Sequence, residues 1–197
     1  MGARERILDA VQARIGGAAD AFIEVEYADA VEEFYERSTA FRHVATVTLR
    51  PEHTSYFLVL PRPEVHISRL LMVGTSYEQL IPVPEFIEGM TGSSHYFFAP
   101  ATTLKLREAP TEEKVVSVVM VLAPESPLSV PDELLVLHRE GIKDLLLSRL
   151  FAVPQRPWTS ERLAQLHSRR ASRAIAEARQ TANQGYGNKP WAFPSFA

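Results

Sequence analysis

The chain has 197 residues, no cysteine and a formal net charge of −3, and 46% of its residues are hydrophobic. This length and composition are typical of one globular domain, or of one domain with an appendage. The absence of cysteine excludes disulfides, thiolate metal sites and thiol catalysis. No apolar run approaches the roughly 20 residues of a membrane span, and the charged, amphipathic N-terminal segment is unlike a signal peptide.

Two amphipathic helices are predicted at the N-terminal end. The first is expected over residues 3–15, where apolar residues recur every three to four positions until Gly16 and Gly17. The second is expected over residues 26–41, with acidic residues on the side opposite its apolar side. The residues predicted to be buried are Ile7, Leu8, Val11 and Ile15 in the first helix, and Tyr27, Val31, Phe34, Tyr35 and Ser38 in the second.

Strand patterns fill the middle of the chain. The predicted strands are 43–49, 54–60, 65–73, 79–83, 95–98, 103–107 and 114–122. The first two flank a four-residue connection of hairpin length, residues 50–53, so we expect them to pair with each other. Strands without βαβ alternation indicate an α+β fold, with about seven short strands in an antiparallel β-sandwich or curled sheet.

Two further helices are predicted after the strands. One opens at Ser129 or at Pro131-Asp132 and is Leu-rich, and the other is expected over residues 160–183 with Thr159 as its cap. Small residues on the last helix would let another helix approach closely. Its predicted stripe is Leu163, Leu166, Ala171 (or Arg170), Ala174, Ile175, Ala178 and Ala182, and that of the preceding helix is Leu134, Leu135, His138, Ile142, Leu145, Leu146 and Leu150. Phe151 and Trp158 are the predicted packing anchors between these helices.

The order of these patterns predicts three parts. Residues 1–42 and 124–184 form a helical bundle, residues 43–123 form an antiparallel β domain, and residues 185–197 form an extended tail. The tail is too short to build a core and too aromatic to leave in water, so we expect it to dock on a partner. The candidate partner contacts are Tyr186, Trp191, Phe193 and Phe196.

Charge is distributed unevenly along the chain. Residues 20–36 contain seven acidic residues and no Lys or Arg, whereas residues 149–197 contain eight basic residues and two acidic ones. Opposite charges at the two ends would attract neighbouring copies, or the two ends of one copy; the alternative is that both are solvated helix faces. The candidate subunit-interface residues are Glu32, Glu33, Glu36, Arg169, Arg170 and Arg173.

No catalytic, cofactor or metal site is predicted. The six histidines form no His-x-x-x-His pair, and the sequence contains no Gly-rich phosphate loop. Ser93 and Ser94 precede His95, but a triad also needs an orienting acid, so a turn is the expected structure there. The clustered arginines of the last helix could contact phosphates, but without interleaved aromatic residues they do not predict a nucleic-acid reader.

Several segments, taken in order, carry a family resemblance. Residues 29–49 place an acidic amphipathic helix with an aromatic doublet before a basic/aromatic corner and a first strand. Residues 54–61 contain a Tyr-x-Leu-Pro type of second strand, and residues 96–110 contain a Leu-x-Leu-x-x-Ala-Pro hairpin. Residues 131–159 form a two-helix unit with a Pro-x-[Lys/Arg]-Pro-Trp turn. This order resembles the head-to-tail adaptor family of tailed bacteriophages, also called head–tail connectors or tail tubular proteins A.

The resemblance covers about residues 3–185, whereas residues 186–197 match no motif of the family. It implies a structural virion protein, not an enzyme, that forms a ring, usually of twelve, under the portal. The ring would join the capsid vertex to the tail and surround the channel for viral DNA ejection. The implied partners are the portal protein, neighbouring copies and a downstream tail or nozzle protein, with only non-specific proximity to DNA and no membrane.

The implied location is the neck of the virion, after assembly in the host cytoplasm, and no cofactor is implied. Two other functions remain open on the residues themselves. One is a small-ligand or peptide-binding α+β module with a self-docked aromatic tail. The other is an enzyme that uses His95 with Ser93 or Ser94, which would need an acid close to them in space.

Overall fold

The computed structural model describes residues 2–75, 80–82, 96–98 and 102–184, and the protein is α+β. Residues 42–123 form one compact unit, the strand unit, and the chain on either side of them forms a second, the helical unit. The helices are α1 (Ala3–Gln12), α2 (Asp20–Ser38), α3 (Asp132–Ala152) and α4 (Glu161–Gln184). None of these helices combines the length and the apolarity that crossing a bilayer requires.

The first two helices differ from the prediction at their ends. Helix α1 ends at Gln12, three residues before the predicted end, because the N–H groups of Arg14 and Ile15 both donate to the carbonyl oxygen of Val11 and tighten the last turn. Helix α2 begins at Asp20 and ends where Thr39 adopts the left-handed conformation, at φ 55°. The buried side predicted for α2 is confirmed, with Ile23 and Ala30 as further members.

The predicted cap of the last helix is wrong. The hydroxyl of Thr159 accepts from the N–H of Arg156 at 2.9 Å and donates to the carbonyl oxygen of Val153 at 2.5 Å, so it closes the turn before α4. The next residue, Ser160, accepts from the N–H of Leu163 at 3.4 Å and occupies the cap position.

The buried stripe of α4 also begins on different residues from those predicted. Ala164 and His167 are buried, whereas Leu163 is only half-buried and Leu166 is 42% exposed. The stripe follows three- and four-residue steps, and these steps extend backward from Ala171 to His167 and Ala164. Hydrophobicity favoured the leucines, but the helical period places Ala164 and His167 on the buried side.

The described residues of the strand unit form two sheets. The strands are β1 (Arg42–Leu49), β2 (Ser55–Phe57), β3 (Val65–Gly74), β4 (Ile81–Pro82), β5 (Tyr96–Phe98), β6 (Thr103–Leu106) and β7 (Lys114–Pro124). Their orders are β1-β7-β3 and β2-β6-β5-β4. Strand β1 runs antiparallel to β7 along its whole length, from Arg42 opposite Val121 to Leu49 opposite Lys114. Strands β4 and β5 are parallel, so the prediction of a purely antiparallel domain is wrong at this pair.

The predicted hairpin between the first two strands is also wrong, because β1 and β2 lie in different sheets. The hydroxyl of Tyr56 accepts from the N–H of Arg50 at 2.9 Å and lies 2.8 Å from the carbonyl oxygen of His53. These bonds hold the connection as a local turn, with Glu52 at φ 67°. Strand β2 pairs with β6 instead, with Ser55 opposite Lys105. A connection of hairpin length does not by itself select the partner of a strand.

Candidate interaction surface

Helix α3 is the common support of the helical unit, because α1, α2 and α4 all pack against it. The helices approach closely at Gly141, where a Cβ atom would lie 2.6 Å from Cε2 of Phe34 and 2.8 Å from Cβ of Ala174. The ring of Phe34 comes from α2 and the methyl group of Ala174 from α4. The missing side chain of Gly141 therefore lets both helices contact α3, which sets the positions of their outer faces.

The acidic side of α2 is held to α3 by one arginine. The guanidinium of Arg149 lies 2.8 Å from a carboxylate oxygen of Glu26, 2.7 Å from one of Asp29 and 3.3 Å from one of Glu33. Burial opposes its charge, but the hydrogen bond to Glu26 and the three carboxylates outweigh burial and raise the pKa of Arg149 above its ordinary value. The acids occur at three- and four-residue spacing, so one fork of N–H groups reaches all of them.

We expect Arg149→Gln to lower the free energy of unfolding by about 1–3 kcal/mol, because three carboxylates would be left close together without their shared cation. Arg149→Lys should lose less, since an ammonium keeps the charge but not the fork. Urea unfolding at neutral pH measures both changes. Arg156→Gln, which removes an exposed arginine of the turn before α4, is the matched control and should change stability by less than about 0.5 kcal/mol. Equal stability of Arg149→Gln and the parent protein would contradict this role.

The candidate interface acids of α2 divide into two groups. Glu33 is half-buried; in addition to its contact with Arg149, it accepts a hydrogen bond from Nη1 of Arg37 at 2.6 Å. Glu32 and Glu36 are exposed, and within the described part of the chain they form no ion pair. Val25, two turns before Glu32 on the same side of the helix, is 60% exposed. This outer side of α2 is thus an acidic surface that also exposes an apolar side chain.

The candidate bases of α4 divide in the same way. Arg173 pairs with Glu177 at 2.8 Å, whereas Arg169 and Arg170 are exposed and make no ion pair among the residues that the structure covers. Arg169 lies at the edge of an open groove of about 500 Å³ between α2, α3 and α4, which Arg149 also lines. The prediction did not include Arg162 among the interface residues, although it is exposed and one and two turns from Leu166 and Arg169 on the same side of α4.

The two predicted packing anchors lie in different settings. Phe151 is buried at the end of α3, and its ring stacks on that of His167 of α4, with centroids 5.6 Å apart and planes at 17°. Nδ1 of His167 lies 2.7 Å from a carboxylate oxygen of Asp144, so a polar contact adjoins the stacked rings. Trp158 is half-buried in the turn between the two helices.

The candidate tail contacts Tyr186, Trp191, Phe193 and Phe196, and the serine–histidine candidates Ser93, Ser94 and His95, lie outside the described residues. Within the described ranges, no group of three or more His, Asp or Glu side chains is placed to hold a metal ion. The arrangement that the described residues do bring together is electrostatic: an acidic outer side on α2 and a basic outer side on α4.

The chain matches no protein-family model and no curated protein sequence at a significant level.

Proposed function

We propose that the protein is a structural head-to-tail adaptor of a tailed bacteriophage virion, without catalytic activity. The observation that carries the proposal is that one helical unit exposes acidic residues on α2 and basic residues on α4. A ring needs contacts between two different faces of each copy, and two faces of opposite charge meet that need. The order of motifs over residues 3–185 supports the same function.

In this proposal the helical unit is a bundle that forms the ring, usually of twelve copies, around the DNA exit channel. The strand unit, as a sandwich or curled sheet, forms a collar, and the aromatic residues of 185–197 contact a partner. A channel through which DNA passes should not bind phosphates tightly. A protein with a formal net charge of −3 suits such a channel better than a basic protein would. The partners would be the portal protein, neighbouring copies and the next tail or nozzle protein, all in the neck of the virion.

The direct test is to mix the purified protein with the portal protein of the same phage and to analyse the mixture by native mass spectrometry and electron microscopy. We expect a ring stacked on the portal, even if the free protein is monomeric, and its mass gives the copy number. A protein that stays monomeric and never associates with the portal would overturn the proposal. That result would favour the small-ligand or peptide-binding module instead.

The role of the tail can be tested separately. Deletion of residues 186–197 should leave the helical unit folded, because its described core ends with Ala182, but heads carrying the deletion should fail to acquire tails. Circular dichroism verifies the fold, and electron microscopy counts tailed particles in an infected culture. Replacement of the same segment by a Gly/Ser segment of equal length is the matched control for length, and it should fail in the same way. Normal tailing of either variant would show that the segment has no part in joining.

A further inference from the structure

We propose that the outer side of α2 binds the outer side of α4 of a second copy of this chain. The α2 acidic face is Val25, Glu32 and Glu36, and the α4 basic face is Arg162, Leu166 and Arg169. The proposal rests on the proposed function, since it names the surfaces through which copies of an adaptor would contact each other. It follows from four properties of these faces: unused charge, exposed apolar surface, like-charge exclusion and compatible helical spacing.

The first property is that the charges of the two faces are available. The acids on the inner side of α2 are bound by Arg149, so they cannot serve a partner. Glu32 and Glu36 on the outer side, and Arg162 and Arg169 on α4, have no ion-pair partner among residues 2–75, 80–82, 96–98 and 102–184. Pairing them across an interface would not break an ion pair that the monomer already makes.

The second property is that each charged face exposes an apolar side chain. Val25 is 60% exposed and Leu166 is 42% exposed, although each lies on the charged outer side of its helix. An apolar contact surrounded by charged residues is the usual organisation of a protein interface, in which the apolar part contributes affinity and the charges contribute orientation.

The third property is that faces of like charge repel each other, which limits how two copies can bind. Two α2 faces repel each other, and so do two α4 faces, so a symmetric dimer through either face is disfavoured. The α2 face of one copy therefore binds the α4 face of another, and the resulting pair keeps one free acidic face and one free basic face. Such a head-to-tail contact produces a closed ring or an open filament, depending on the rotation between neighbours.

The fourth property is that the spacing of the two faces is compatible. Glu32 and Glu36 are one turn apart, and so are Arg162 and Leu166, and Leu166 and Arg169, so each set lies along one side of its helix. Two helices packed side by side can therefore bring both acids within reach of the two arginines. DNA would be attracted by the α4 basic face but repelled by the α2 acidic face. A second copy carries a complementary surface for each of the two faces, so it is the better-matched partner.

The test is a pair of charge reversals. Variant one carries Glu32→Lys and Glu36→Lys, so both of its faces are basic; variant two carries Arg162→Glu and Arg169→Glu, so both of its faces are acidic. We expect the parent protein to self-associate in sedimentation velocity at about 0.05 M salt and to dissociate at about 0.5 M. Each variant alone should associate at least about tenfold more weakly. An equimolar mixture should associate again, because each basic face then meets an acidic face of the other variant.

The controls separate the effect of charge at the two faces from the effect of net charge and from any loss of folding. Glu112→Lys with Glu113→Lys changes the net charge as variant one does, but on exposed residues of the strand unit, and it should associate like the parent. Arg50→Glu with Arg69→Glu is the corresponding control for variant two. Circular dichroism and thermal unfolding establish that all variants are folded, which is expected because every changed side chain is exposed.

Three outcomes would overturn the inference: a parent protein that stays monomeric at low salt, variants that associate as the parent does, and a mixture that does not associate. If variant two loses DNA binding while its self-association is unchanged, the α4 face binds nucleic acid and the inference also fails. Rings of both variants on the portal would contradict the inference and leave the proposed function intact. Recovery in the mixture without any portal binding would support the inference and contradict the proposed function.

Discussion

Gly141→Ala is expected to lower the free energy of unfolding by about 1–2 kcal/mol, although alanine is the better helix former by about 1 kcal/mol. The added Cβ would lie 2.6 Å from Cε2 of Phe34 and 2.8 Å from Cβ of Ala174, distances that real Cβ atoms essentially never show. Phe34 is fully buried, so its ring cannot turn aside, and α2 or α4 must shift away from α3. Gly141→Val should lose more, because a branched side chain adds two further atoms at the same place.

Urea unfolding of the parent protein and both variants measures these changes. The matched control is Gly16→Ala, because a Cβ at Gly16 meets nothing within 4 Å, and it should be neutral or slightly stabilising. The mechanism is tested by combining Gly141→Ala with Phe34→Leu, a smaller side chain. The double variant should be more stable than the sum of the single changes predicts. If Gly141→Ala were as stable as the parent protein, the space around residue 141 would accommodate a Cβ atom without a shift of α2 or α4, and the prediction would be wrong.

The burial of α2 was predictable from the sequence because its pattern has one strong period. Residues such as Tyr27, Val31 and Phe34 recur at three- and four-residue steps, and a helix with this pattern has one side that excludes water. The beginning of α4 was not predictable from hydrophobicity, because Ala164 and His167 occupy the buried positions and Leu166 the exposed one. Small residues carry little hydrophobic signal, and there the period alone decides which side is buried.

The strand that pairs with β1 and the arginine that binds the acids of α2 both lie far away in the sequence. Local sequence patterns do not identify such partners, so neither contact was predicted. The four residues between the first two predicted strands are compatible with a hairpin, but β1 instead pairs with β7 along its whole length. The spacing of Glu26 and Glu33 shows that they share a side of α2 with Asp29, but not that Arg149 lies opposite them. The sequence does not show where Arg149 lies. It therefore does not separate the acids that Arg149 binds from Glu32 and Glu36, which lie on the outer side of α2.

His138 is expected to make the protein less stable as the pH falls from about 6.5 to about 4. The side chain is 9% exposed and lies beside the rings of Phe34 and Tyr35, with centroid distances of 5.3 and 5.9 Å. Burial lowers the pKa of His138 from 6.5 to about 4, so the folded protein holds the imidazole neutral while the unfolded chain binds a proton. Stability from this residue is complete above pH 6.5, and about 3 kcal/mol of it is lost by pH 4, at 1.4 kcal/mol per pKa unit.

The measurement is the free energy of unfolding of the parent protein and of His138→Leu between pH 7.5 and 4, at about half-unit intervals. Carboxylates contribute the same pH dependence to both proteins, so the difference between the two curves isolates His138. That difference should change by about 3 kcal/mol in favour of the variant as the pH falls. Leu135→Ala, a buried change one turn earlier in α3, is the control and should shift its curve by a constant amount. A constant difference for His138→Leu would mean that the folded protein binds the proton as readily as the unfolded chain does, which would contradict the prediction.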